Sequence, residues 1–153
     1  MLLLLTTPWL LCKVWSLAKK QEMPGKTAAA IGLGILFVFT AVGHFIKTEA
    51  MAQMIPEFLP VKIFIVYLTG VLELGIAASF FFRITRVGGA WLAVVLLLLF
   101  LPVNIYAAIN HIPMGGHAWG PVYLLIRIPL QLVILVWIYG FLLKKNREVT
   151  QAR

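Results

Sequence analysis

The chain has one cysteine and only five acidic residues in 153, and both shortages remove functional classes. Cys12 alone cannot close an intramolecular disulfide, form a CxxC pair or build a thiolate metal site, so thiol chemistry confined to this chain is excluded. No glycine-rich phosphate loop stands between strand and helix patterns, no Ser/His/Asp set can be assembled, and no paired transmembrane histidines could hold haem. Charged residues make up 12% of the chain, about half the fraction usual in soluble domains. A soluble globular fold is therefore excluded.

What is abundant is hydrocarbon. Hydrophobic residues are 62% of the chain, mean hydropathy is +1.00, and the apolar residues fall in blocks of about twenty, the length a helix needs to cross the bilayer core. Cutting at charges, prolines and glycines predicts four transmembrane helices over 27–46, 61–82, 87–109 and 121–143. The expected fold class is an all-α, multi-pass membrane four-helix bundle. A 26–144 bundle domain would follow an N-terminal interfacial segment, 1–25, and precede a basic tail, 145–153.

The net charge of +8 would suggest nucleic acid in a soluble protein. Here the cations stand at the ends of apolar blocks and report topology instead, so a nucleic-acid partner is not expected. Lys13, Lys19, Lys20, Lys26, Arg83, Arg86, Lys144, Lys145, Arg147 and Arg153 fall on one side, against Lys47 and Lys62 on the other. The positive-inside rule then places both termini in the cytoplasm, with a cell (inner) membrane as the expected location. Residues 1–20 resemble a signal peptide in their apolar run and in Ser16-Leu17-Ala18, but no basic residue precedes that run. The preferred reading is an interfacial helix that starts at Thr7-Pro8 and lies on the cytoplasmic leaflet.

Between the first two spans, Glu49, Gln53 and Glu57 mark a narrow polar stripe, whereas Pro56 and Pro60 forbid one regular helix. A short interfacial or re-entrant turn is expected there, either as a connector or as a lid over a ligand entry.

An ionisable side chain in mid-membrane costs about 2.5 to 3.5 kcal/mol on insertion scales, so each one calls for a partner or a cavity. Glu73 falls about 18 Å and Arg127 about 9 Å below the outer ends of their spans at the helical rise. An ion pair between them is expected, since the arginine side chain can cover much of the difference. Gln131 shares the face of Arg127, Thr69 that of Glu73, Thr40 that of His44, and Asn104 lies at a similar level on the third span. Pro102 and Pro129 release the carbonyls of Leu98 and Leu125 nearby. Together these residues predict a polar intramembrane network or small pocket open to the outer side, with Tyr67 and Tyr106 as pocket walls or interfacial aromatics. Interhelical glue accounts for the same residues without any ligand. His44, His111 and His117 all belong to the outer side in a spacing that matches no recognised metal pattern, so no metal site is assigned.

Gly43-His44-Phe45, Pro56, Leu59-Pro60, Thr69-Gly70-Val71-Leu72-Glu73, Pro102-Val103-Asn104-Ile105-Tyr106 and Arg127-Ile128-Pro129-Leu130-Gln131, taken in order over about residues 27–143, resemble the DoxX-like family of small four-helix membrane proteins. The resemblance implies an accessory or assembly (chaperone-like) protein that partners another membrane protein or an oxidoreductase. A quinone- or lipid-binding subunit of a membrane redox complex is the alternative it implies, with quinone as the one cofactor in view. The thiol-bearing maturation members of that group differ from this chain, which has no cysteine pair. A third reading rests on the polar constellation alone: a cofactor-free lipid isomerase in which Glu73 and His44 move a proton. No catalytic residue is assigned, the chain reads more readily as a non-enzyme, and self-association stays open.

Overall fold

The computed structural model describes Thr6 and residues 25–144. The expected interfacial helix from Thr7-Pro8 and the basic tail beyond Lys144 lie outside the described residues. All regular structure among the described residues is helical: α1 (Gly25–Ile46), α2 (Thr48–Gln53), α3 (Lys62–Phe81), α4 (Arg86–Ile109), a 3-10 turn (His117–Tyr123), α5 (Leu124–Ile138) and a closing π-helical turn (Tyr139–Leu143). Four helical stretches, Gly25–Ile46, Lys62–Phe81, Arg86–Ile109 and His117–Leu143, are long and apolar enough to cross a membrane. They agree with the expected spans to within a few residues, and the last begins earlier because its first turn is 3-10.

The connections are short and each has a local cause. Arg86 Nε donates to the Phe80 carbonyl at 3.1 Å, and Thr85 Oγ1 donates to that of Ser79 at 3.0 Å. These side chains satisfy carbonyls that the end of α3 leaves open, and so hold the α3–α4 turn. The polar stripe between the first two spans folds as α2 followed by a turn. Glu49, Gln53 and Glu57 are exposed, while Ala52, Met54 and Ile55 are buried. At Val61 the chain enters α3 through a left-handed conformation (φ 52°, ψ 41°), uncommon for a β-branched residue.

The interior divides into two halves along the helix axes. Toward the start of α1, Leu33, Leu36, Phe37, Ile76, Ala77, Phe80, Ala90, Ala93, Ile134 and Ile138 form one close-packed apolar cluster. Lipid tails are as apolar as these side chains, so this half is held by contact rather than by exclusion of water, and small residues such as Ala30, Ala77, Ala90 and Ala93 let the helices approach. α1 packs chiefly on α3, α3 on α4, and α4 on α5, and the π-helical turn returns to α1. Toward the other end, near α2 and the 3-10 turn, polar side chains replace the apolar packing and a cavity opens.

Candidate functional site

A cavity of about 600 Å³ occupies that end, a volume suited to one small ligand. Its polar lining comes from every span: Thr40 and His44 from α1, Thr69 and Glu73 from α3, Asn104 from α4, His117 from the 3-10 turn and Arg127 from α5. Apolar side chains such as Phe37, Ile55, Leu97, Phe100 and Ile134 form the rest of the wall. The exposed residues Phe39, Val42, Ile46 and Lys47 also line it, so the cavity reaches the surface along α1.

His44 is fixed from three directions. Gly70 on α3 lies directly beneath it, and a Cβ on that glycine would fall 2.9 Å from the His44 Cβ. Glycine there allows α1 and α3 to meet closely enough for His44 Nδ1 to reach the Val66 carbonyl at 3.1 Å. A carbonyl oxygen only accepts, so Nδ1 carries the hydrogen. Thr69 Oγ1 lies 3.1 Å from the same nitrogen, and its hydroxyl is within reach of the Ile65 and Val66 carbonyls at 2.9 Å each. The imidazole also stacks on Phe100, with centroids 5.9 Å apart. Its other nitrogen, Nε2, is thereby aimed at Glu73 Oε2, at 3.6 Å. That separation exceeds a hydrogen bond.

Glu73 is 3% exposed. Besides His44, the Thr40 hydroxyl, which donates to the Phe37 carbonyl at 3.1 Å, lines the same cavity, and the Arg127 guanidinium acts on the carboxyl through charge. The expected partner, Arg127, shares the cavity with Glu73 and acts on it through charge, and the His44 imidazole stands beside Oε2 as well. The reason is lateral: α1 and α3 pack along much of their length, whereas α5 meets α4 and the 3-10 turn.

On the opposite wall His117 Nδ1 donates to the Met114 carbonyl at 2.7 Å, and its Nε2 lies 3.1 Å from Asn104 Oδ1. The Asn104 amide is oriented by its Nδ2, which donates to the Phe100 carbonyl at 2.7 Å. Tyr123 packs edge-on against the imidazole, with centroids 4.7 Å apart. Gly120 (φ 73°, ψ −153°) turns the chain between His117 and α5 in a conformation that suits glycine, and His111 packs against it. The two histidines of the His-Ile-Pro-Met-Gly-Gly-His loop thus separate: His117 enters the cavity, and His111 braces the turn outside.

Of the expected site residues, Glu73, Arg127, Asn104, His44 and Thr69 line one cavity. Gln131, Tyr67 and Tyr106 are not among the residues that line it. Gln131 is 6% exposed, and its Nε2 donates across to the Leu97 carbonyl at 2.7 Å. The Asn104 and Gln131 amides thus serve carbonyls on either side of Leu98, the residue whose carbonyl Pro102 releases. Gln131→Leu is expected to cost about 1 to 2 kcal/mol in unfolding experiments, the range for an interhelical hydrogen bond in lipid, and to leave ligand retention unchanged. Tyr67 is half-exposed and tilts against Phe45 at 5.9 Å between centroids. Tyr106 is half-buried, and its backbone carbonyl accepts from Asn110 Nδ2 at 2.8 Å. His117 and Tyr123 were not expected as members of the pocket. The available signal was position, because His117 immediately precedes the last apolar run and so returns to the depth of Asn104.

No curated protein and no solved structure matches the chain significantly. Residues 33–141, which include every polar side chain of the cavity, match the family model described as a domain of unknown function (DUF8561), and the chain belongs to that family.

Proposed function

We propose that this protein is an accessory subunit of the membrane that binds one small amphiphile, a lipid or a quinone, in the cavity between its spans. The observation that carries this reading is the convergence of polar side chains from all four spans on one apolar-walled cavity of about 600 Å³. Glue between helices is satisfied by direct contacts, as Gln131 illustrates with Leu97. The Glu73 and Arg127 side chains border open volume in addition to their contacts, which suits a ligand with a polar head and an apolar body.

In this reading the four spans form a bundle with both termini cytoplasmic, following the charge distribution, and the cavity opens toward the outer leaflet. His44 and Glu73 hold one end of the head and Arg127, Asn104 and His117 the other. The resemblance to DoxX-like proteins supports an accessory place beside a membrane oxidoreductase or another membrane protein. Electron transfer would then belong to the partner, with this chain holding or delivering the ligand.

Native mass spectrometry of gently solubilised protein tests the reading. Wild type should retain a small-molecule adduct, and Arg127→Gln should lose most of it while remaining folded. An empty wild-type cavity with a protein partner bound would make the polar network structural and the chain an assembly factor.

A further inference from the structure

We infer that the ligand is a single-chain amphiphile with an anionic oxygen head, a carboxylate or a phosphate monoester, which enters sideways from the lipid. The inference rests on the ligand-binding reading above and narrows it to one chemical class.

Charge is the first argument. The cavity lining holds two permanent cations, Arg127 and Lys47, against one acid, Glu73. The other two acids among the described residues, Glu49 and Glu57, are exposed and do not line the cavity. With Arg127 inside and Lys47 at its exposed rim, the cavity has a cationic excess that attracts anions and repels cations, and a neutral head gains nothing from it. Arginine's planar fork matches the two oxygens of a carboxylate or phosphate, and Lys47, exposed at the end of α1, can draw the anion to the rim as a point charge.

Shape is the second argument. About 600 Å³ lies within the range that holds one drug-sized molecule, enough for a head group and the first part of one chain. Along α1, Phe39, Val42 and Ile46 both line the cavity and are exposed, with Ile46 70% exposed. In a bilayer this face meets acyl chains. α1 meets the end of the last span at its π-helical turn, in the packed half of the molecule. The cavity lies at the opposite end of these helices, so a chain can leave the head site between Phe39 and Ile46 and continue into the lipid.

Thermal unfolding and equilibrium binding in a nonionic detergent test the assignment with four probes: oleate, methyl oleate, dodecyl phosphate and a neutral decyl-substituted benzoquinone. Oleate and dodecyl phosphate should each raise the unfolding temperature by several degrees, and methyl oleate should bind at least about tenfold more weakly than oleate. Arg127→Gln should weaken oleate by about tenfold or more and methyl oleate far less. Lys47 is exposed, so Lys47→Gln should fold normally and still weaken oleate about threefold. Equal binding of ester and acid, or preference for the quinone, would overturn the anionic assignment and leave the ligand-binding reading standing. Stabilisation by inorganic phosphate as large as that by dodecyl phosphate would overturn the amphiphile part. Binding of none of the probes, together with an empty cavity in native mass spectrometry, would remove both.

Discussion

Gly70→Val should unfold this protein more readily than wild type by about 3 kcal/mol, the upper end of overpacking costs, and should abolish ligand retention. A Cβ at this position meets the His44 Cβ at 2.9 Å and the Phe45 ring at 3.3 Å. The His44 Cβ is tied to the α1 backbone and cannot swing aside as the tip of a long side chain could, so the helices themselves must separate. Separation breaks the bond from His44 Nδ1 to the Val66 carbonyl and moves Nε2 away from Glu73. Denaturant titration in mixed micelles reads the first effect, and native mass spectrometry the second. Wild-type stability in Gly70→Val would show that α1 and α3 do not meet as closely as described.

Phe80→Ala should also destabilise by about 3 kcal/mol, for a different reason and with a different functional outcome. Phe80 is fully buried in the apolar half, against Phe37 at 5.9 Å between centroids. Removing the ring leaves a void that the surrounding helices only partly close, and in lipid the loss is one of contact rather than of water exclusion. Phe80 itself does not line the cavity, although its neighbour Phe37 belongs to both the apolar cluster and the cavity wall, so the variant should keep most of its ligand while unfolding earlier. The two variants together separate stability from binding: one loses both, the other only stability. Loss of the adduct in Phe80→Ala under conditions where it remains folded would show that the two halves are coupled.

Several parts of this arrangement were legible in the residue order. The blocks between Lys26 and Lys144 foretold four spans, and the prolines at 56 and 60 foretold a broken connector. Glu73 and Arg127 stood out because charge inside an apolar block is costly wherever it sits. Other parts were not legible. Gln131 looked equivalent to Arg127, one helical turn away, yet one lines the cavity and the other bonds to Leu97. His44 was expected in the network, but how closely it meets Glu73 was not legible, because Gly70 sets the approach of the two helices. His117 looked like a loop residue, and the 3-10 turn carries it back to Asn104.

The difference has a physical cause. Membrane insertion is close to a one-dimensional problem: hydrophobic length against bilayer thickness, with charge at the ends and depth counted at a constant rise per residue. Residue order contains all of that, and so it determined the all-helical class, the four spans and the level at which the polar groups gather. Which helix lies beside which, and how far each is turned about its own axis, depends on close contacts between residues distant in the chain. Small side chains such as Gly70 set those contacts, and lipid offers no strong preference among apolar faces. Only the tertiary structure therefore decided that Glu73 meets His44, that Gln131 leaves the site, and that open volume remains between the groups still facing inward.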